Sequence, residues 1–140
     1  MMTRMIAAFA ALLVAVVAFG APARADQCTV GGGDQNAASF AGAVTTAIKT
    51  AWSCEGAYKI LETCQLGSSG DNALSEIVLS KCEPRFKAKA TAAVMAAYQK
   101  ARDKCNQIAE KNQGSMYQGQ AAVCLARAGR DFAGKYGAKR

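Results

Sequence analysis

The 140-residue sequence contains no histidine, and this absence excludes a wide range of active sites. Catalytic triads, zinc sites and proton relays that depend on imidazole require a residue type that the chain lacks. The ten acidic residues are scattered, and no serine lies in a Gly-x-Ser-x-Gly motif. A hydrolase would need such a nucleophile or a pair of facing carboxylates. We therefore expect a protein that is not an enzyme and that uses no cofactor or metal.

Long apolar runs are also scarce, since residues 6–19 form the single uninterrupted one. Arg4 precedes this run, and the small residues Ala23 and Ala25 follow it at the −3 and −1 positions of a cleavage site. With 14 residues the run is shorter than the roughly 20 that a membrane-spanning helix needs, so a membrane anchor is the less favoured alternative. We predict a secretory signal peptide over residues 1–25, cleaved after Ala25, and a periplasmic or secreted mature protein.

Large hydrophobic residues are few in the remaining chain. In residues 26–140, valine, isoleucine, leucine and phenylalanine occupy 17 of 115 positions, below the roughly 20% at which disorder becomes a concern. All six cysteines lie in this part, and an even number in a small exported chain indicates three disulfides. The predicted disulfide residues are Cys28, Cys54, Cys64, Cys82, Cys105 and Cys124.

Apolar and small residues recur at steps of three and four through most of residues 36–133, which is the period of an amphipathic helix. No alternation typical of a strand persists, so we predict an all-α fold, a small bundle of four or five helices arranged as disulfide-stapled hairpins. Residues 26–35 contain three consecutive glycines and are predicted to be flexible. Residues 134–140 are predicted to be a frayed basic tail that follows the helical domain.

Two features mark the organisation of the first helices. Gly56 is the predicted break in the first helical stretch, and residues 66–71 form a loop in which Asp71 or Asn72 caps the next helix. Trp52 is the only tryptophan. We expect it to anchor the core, with an interface between proteins as the alternative.

The second half is predicted to form two long helices. Pro84 is tolerated in the first turn of a helix, so a helix begins or kinks there and continues to about Lys111. A turn at residues 112–114 ends it. The Ser-x-x-Gln sequence that starts at Ser115 indicates a capping box for the last helix.

The predicted turns suggest how the cysteines pair. Residues equally far from the turn of an antiparallel helical hairpin lie at the same height. Cys105 and Cys124 are equally far from the turn at Gly114 and Ser115, so we predict a disulfide between them.

The other four cysteines leave two arrangements open. Cys54 and Cys82 flank the loop symmetrically, which would leave Cys28 to pair with Cys64. The alternative set pairs Cys28 with Cys54 and Cys64 with Cys82, because a break at Gly56 would move the turn.

Charge is divided along the chain. Residues 26–80 carry a net charge of −4, whereas residues 81–140 carry +9. The basic part is either a solvated helix surface or a contact for an anionic partner such as lipid headgroups or an acidic polymer. Nucleic acid is not expected, because the chain is exported and aromatic residues are too sparse there to stack on bases. The candidate contacts for an anionic surface are Arg85, Lys89, Lys100 and Lys104.

Three short motifs follow one another in the last third of the chain. They are Arg102-Asp103 shortly before Cys105, then Gly114-Ser115, then Cys124-Leu125. Over residues 98–130 this order resembles the LprI-like family of small exported bacterial proteins, which is named for a lysozyme-inhibiting member. The resemblance implies a protein that binds lysozyme without catalysing a reaction.

The acidic half is the expected contact if lysozyme is the partner. Common lysozymes are strongly basic, so opposite charge would favour that half over the basic one. The candidate partner-binding residues are Glu55, Glu62, Asp71 and Glu76. Two hypotheses result: a protein-binding inhibitor of the envelope, and a structural or stress-related periplasmic protein whose basic helix binds anionic lipid or polymer.

Overall fold

The computed structural model describes residues 28–30 and 37–138, and this part of the chain contains five helices and no strand. The predicted all-α fold is thereby confirmed. The predicted signal peptide and most of the glycine-rich segment lie outside the described residues. The helices are α1 (Ala37–Thr50), α2 (Cys54–Cys64), α3 (Asp71–Cys82), α4 (Ala92–Lys111) and α5 (Ser115–Tyr136).

The break between the first two helices does not lie at Gly56. Residues 51–53 form the linker, and Ser53 caps α2 because its Oγ accepts a hydrogen bond of 3.0 Å from the Gly56 N–H. Gly56 is therefore an ordinary residue of the first turn of α2. A serine hydroxyl that satisfies an otherwise unpaired N–H decides the start of the helix here.

The predicted helix from Pro84 to Lys111 is wrong in its first part. Two 3₁₀ turns, Glu83–Arg85 and Lys87–Lys89, precede α4. Ala90 then adopts an extended conformation, and Thr91 caps α4 by accepting a hydrogen bond of 3.3 Å from the Val94 N–H. The region around Pro84 is thus a compact connection instead of a continuous helix.

The start and end of α5 also differ from the prediction. Gly114 is the N-cap at φ 115°, a conformation that favours glycine, and it makes no side-chain cap hydrogen bond. The Oγ of Ser115 accepts instead from the backbone N–H of Ser69 at 2.8 Å, so it fastens the neighbouring loop and does not form a capping box. The helix continues to Tyr136, three residues into the predicted tail.

Close packing of α5 against α3 compensates for the small number of large hydrophobic residues. All buried residues of α5 except Val123 are glycine or alanine, so the backbones approach closely. A Cβ added at Gly129 would lie only 2.5 Å from Leu79 Cδ2. The bulkier residues Leu125 and Phe132 of the same helix are only half-buried. The buried small residues are Gly119, Ala121, Ala122, Ala126, Gly129 and Ala133.

Three disulfides crosslink this packing. The predicted Cys105–Cys124 disulfide is present and joins α4 to α5. The first arrangement of the other cysteines is also the observed one: Cys54–Cys82 joins α2 to α3, and Cys28–Cys64 attaches the N-terminal segment to α2. The alternative arrangement is excluded. Disulfides of this kind are typical of oxidising compartments, which is consistent with export.

The helices alternate in direction, which gives the bundle two ends. The turn end contains the loop of residues 66–70 and the turn of residues 112–114. The linker end contains the α1–α2 linker, the two 3₁₀ turns and the C-terminus of α5. No helix in the described part of the chain is long and apolar enough to cross a membrane.

Candidate functional site

Asp71, one of the four acidic candidates, is buried at the turn end. Its carboxylate accepts hydrogen bonds from the backbone N–H groups of Leu66, Gly67 and Ser68 at 2.7, 2.9 and 3.2 Å. It therefore organises the loop that precedes its own helix. The expectation that Asp71 offers its carboxylate to a partner is not met, because the fold uses the carboxylate internally.

Glu62 is also engaged within the molecule. Its Oε1 accepts a hydrogen bond of 2.8 Å from the Tyr58 hydroxyl, and the Nη2 of Arg127 lies 3.4 Å from the same atom. The Nε of Arg127 donates to the Tyr58 hydroxyl at 2.7 Å. Burial raises the pKa of Tyr58 against the opposing hydrogen bond from Arg127, so the phenol stays neutral and links α2 to α5.

The remaining two acidic candidates are exposed at the surface. Glu55 lies 3.7 Å from Arg130 through Oε2 and Nη1, an exposed ion pair that is weak in solvent. Glu76 is exposed and makes no ion pair among the described residues. Of the four acidic candidates, Glu76 alone is without a partner among the residues that the structure describes.

The basic half includes an internal cluster that sequence reasoning missed. Glu83 accepts hydrogen bonds from the Tyr98 hydroxyl at 2.7 Å, from Arg102 at 3.0 Å and from Lys87 at 2.6 Å. Burial raises the pKa of Glu83, but the hydrogen bonds from Lys87 and Tyr98, with the charges of Lys87 and Arg102, outweigh burial and leave it below its ordinary value. Burial and the hydrogen bond to Glu83 raise the pKa of Tyr98.

Tyr98, a member of this cluster, also packs against aromatic rings at the linker end. The ring centroids of Phe86 and Tyr98 are 5.0 Å apart, and those of Tyr98 and Phe132 are 5.1 Å apart. Tyr98 is buried, and Arg102 follows it by about one turn of α4. Nothing in the sequence places Glu83 beside them, because that contact depends on the two 3₁₀ turns.

The basic candidates differ from the acidic ones in being unpaired. Arg85, Lys89, Lys100 and Lys104 form no ion pair with any residue that the structure describes, whereas Lys87, which lies between the first two, is paired with Glu83. The unpaired cations fall in two places, Arg85 and Lys89 at the linker end and the other two along α4. The spacing of Lys100, Lys104 and Lys111 puts these lysines on one face of α4.

Shallow grooves lie beside the unpaired cations of the linker end and beside those of α4. At the linker end, a groove of about 110 Å³ is lined by Ser53, Glu55, Arg85 and Arg130 among others. A second, of about 270 Å³, shares Arg85 with the first and also contains Lys89. A third groove, of about 300 Å³, lies between α4 and α5 and is lined by Lys104, Gln107, Ile108, Lys111, Asn112, Tyr117 and Gln120.

Trp52 is fully exposed on the linker between α1 and α2, so the prediction that it anchors the core is wrong. Neither groove at the linker end includes its indole. Aromatic residues are usually buried because their apolar surface is large. Here the linker turns the side chain away from the core while Tyr58 and Phe86 fill the space inside.

Comparison with known proteins identifies no relative. No family model matches the chain, and neither curated proteins nor solved structures give a significant match. Function must therefore be argued from the side chains themselves.

Proposed function

We propose that this protein is an exported, disulfide-crosslinked protein of the bacterial periplasm that acts by binding an anionic surface, lipid or polymer, through its basic half. It is not an enzyme in this proposal. The observation that carries it is the difference in pairing: the cations Arg85, Lys89, Lys100 and Lys104 lack ion pairs among the described residues, whereas three of the four acidic candidates have partners.

A partner can bind unpaired cations without the free-energy cost of breaking an existing ion pair. An ion pair already formed must be broken before either member can bind elsewhere, whereas an exposed lysine has only water to exchange. Within the basic half, Glu83 neutralises Lys87 and Arg102, and the carboxylates of Glu62, Glu55 and Asp131 lie beside Arg127 and Arg130. The fold leaves exposed lysines along α4 and at the linker end, where the positive potential extends into solvent.

A charge-matched pair of variants tests the proposal. The first variant carries Lys89→Gln, Lys100→Gln and Lys104→Gln. The control carries Gln65→Glu, Gln113→Glu and Gln118→Glu at exposed positions and has the same net charge. Binding is measured by sedimentation with vesicles that contain anionic phospholipid and, separately, by titration with a soluble polyuronate.

We expect the oxidised wild-type protein to bind at least one of these probes, with an affinity that falls as salt rises from about 50 to about 300 mM. The lysine variant should bind about tenfold more weakly, and the control should bind within about twofold of wild type. Equal weakening by both variants would show that net charge alone matters. Failure to bind either probe at low salt would refute the proposal.

Lysozyme inhibition is the second candidate function. It is supported by the Cys105–Cys124 disulfide, which closes the hairpin that resembles the LprI-like family, and by the exposed carboxylates of Glu55 and Glu76. The oxidised protein should then slow lysozyme at low salt, and the double variant Glu55→Lys and Glu76→Lys should lose that effect. Unchanged lysozyme activity with excess wild-type protein would remove this candidate.

A further inference from the structure

The indole of Trp52 is held in solvent by a rigid linker. The Ala51 N–H donates to Ala47 O at 3.0 Å, and the Ala51 carbonyl accepts from Lys81 Nζ at 3.1 Å. On the other side, Ser53 caps α2, and the next residue, Cys54, is in a disulfide with α3. Both neighbours of Trp52 are thus fixed to the bundle, so the exposed side chain is part of the folded surface.

Basic side chains lie at the same end of the bundle as Trp52. Lys81 reaches the linker itself, and Ser53 lines the same groove as Arg85 and Arg130. Arg85 also lines the neighbouring groove with Lys89. Lys49 is exposed in the last turn of α1.

The acidic groups of the linker end are already engaged. Glu83 is held by Lys87, Tyr98 and Arg102. Glu55 and Asp131 both lie within ion-pair distance of Arg130. Arg130 cannot neutralise both carboxylates, but the three cations Lys49, Arg85 and Lys89 have no ion pair among the described residues, so the net charge of this end is positive.

We propose that the linker end docks on an anionic lipid bilayer, with the indole of Trp52 in the interface between headgroups and acyl chains and with Lys49, Arg85 and Lys89 against lipid phosphates. This inference rests on the proposed function and names its partner. Tryptophan favours the bilayer interface, where its apolar ring and its polar N–H are both accommodated. Lysine and arginine reach phosphates with the charged head while the alkyl stem lies along apolar surface.

The position of Trp52 favours a bilayer over the other occupants. A bound polymer would lie along a groove, and the indole lines neither groove at this end. A second copy of the chain would bring two positively charged ends together, which is unfavourable. The lipids of a bilayer are fluid and rearrange around an inserted side chain, so a protruding indole needs no matching pocket.

The sole tryptophan makes the test specific to this site, because all tryptophan emission comes from Trp52. Oxidised protein purified after export is mixed with vesicles of zwitterionic lipid alone or with about one third anionic phospholipid. We expect a blue shift of emission, less quenching by acrylamide and strong quenching by lipids brominated on their acyl chains. These changes should occur with the vesicles that contain anionic phospholipid and should be absent with purely zwitterionic vesicles.

A pair of exposed hydrophobic residues supplies the matched variants. Trp52→Ala should reduce sedimentation with anionic vesicles by about tenfold, while Met116→Ala, at the turn end, should leave it within about twofold of wild type. Both variants should keep the wild-type far-ultraviolet circular dichroism, because neither side chain is in the core.

The possible failures are distinguishable. Sedimentation with vesicles without a change in Trp52 emission would overturn this inference and leave the proposed function standing, and so would binding to polyuronate but not to vesicles. A blue shift that depends on protein concentration without lipid would also overturn it, since a second copy would then cover Trp52. Binding to neither probe would overturn both.

Discussion

The two ends of the bundle use their polar and aromatic side chains in opposite ways. At the turn end, the carboxylate of Asp71 is buried under three backbone N–H groups, and Ser115 reaches across to Ser69. At the linker end, Trp52 is fully exposed, and Arg85 and Lys89 have no ion pair among the residues described. The turn end thus buries its carboxylate, whereas the linker end, besides its internal Glu83 cluster, leaves an indole and two cations for contacts outside.

The contrast separates the side chains that stabilise this small domain from those that remain accessible to a partner. A buried carboxylate with its hydrogen bonds satisfied stabilises one loop conformation, and its loss leaves several donors without a partner. An exposed tryptophan forgoes the stabilisation that burial would bring. The exposed indole of Trp52 therefore adds little to folding and stays accessible to the bilayer contact proposed above.

The largest expected effect concerns the disulfides, which crosslink both halves of the molecule. Replacing Cys54 and Cys82 with alanine, near the linker end, should lower the free energy of unfolding by about 3 kcal/mol. The same change at Cys105 and Cys124 should cost nearly as much, because closure entropy depends only weakly on loop length and the sequence separations are 28 and 19. Urea unfolding followed by circular dichroism measures both. A cost near zero at Cys54 and Cys82 would mean that the linker end is loosely held, which would break the comparison.

The next effect contrasts one buried acid with one exposed aromatic residue. Asp71→Ala should destabilise the protein by about 2 to 3 kcal/mol, because the N–H groups of residues 66–68 lose a charged acceptor. Trp52→Ala should change stability by less than about 0.5 kcal/mol, since its side chain has no burial to lose. Thermal unfolding of both variants gives the comparison. A larger loss for Trp52→Ala than for Asp71→Ala would reverse our assignment of the two ends.

Alanine substitutions at two glycines of α5 should have smaller effects on stability, and the two effects should have opposite signs. A Cβ at Gly119, at the turn end, would lie 2.7 Å from the Ser68 carbonyl oxygen, so Gly119→Ala should cost about 1 to 2 kcal/mol. At Gly134, near the linker end, a Cβ would meet nothing within 4 Å. Gly134→Ala should therefore stabilise by about 0.5 kcal/mol through helix propensity. Equal shifts in the urea midpoint would show that the turn end is no more tightly packed than the linker end.

The smallest effect is a pH dependence at the internal cluster of the linker end. The pKa of Glu83 is lowered in the folded protein, so its contribution to stability is present above its ordinary pKa of 4.5 and is lost as pH falls below it. Between about pH 5.5 and pH 3.5, wild type should lose more stability than Glu83→Gln, which cannot titrate. Thermal midpoints across this range test the difference. Glu76→Gln, at an exposed and unpaired carboxylate, is the control and should follow wild type.

The main features of the fold could be predicted from local sequence patterns. Helical periodicity and a glycine turn determine where α4 ends and α5 begins, and the Cys105–Cys124 disulfide follows from the symmetry of that hairpin. The errors at Gly56, Pro84 and Ser115 share a cause. In each case a hydrogen bond or a turn outside the local motif decided the helix boundary.

The candidate site could be predicted only in part. The sequence showed that residues 81–140 are basic, and the four cations selected there are among the unpaired ones. It could not show which charges are neutralised, because Glu83 meets Tyr98 and Arg102 through the two 3₁₀ turns, at sequence separations of 15 and 19. It also placed Trp52 inside on the grounds of hydrophobicity.

The helical class, the separation of charge and the need for three crosslinks follow from the chain alone, because periodicity, composition and cysteine number do not depend on how it folds. The tertiary structure alone decided which acid is buried, which cations remain unpaired and where the only tryptophan lies. These depend on how helices distant in sequence pack together. The absence of a side chain at Gly119 and Gly129 of α5 leaves room for Asp71 Oδ2 and the Tyr98 hydroxyl, which a Cβ there would approach to 2.9 and 3.6 Å, and the linker leaves Trp52 outside.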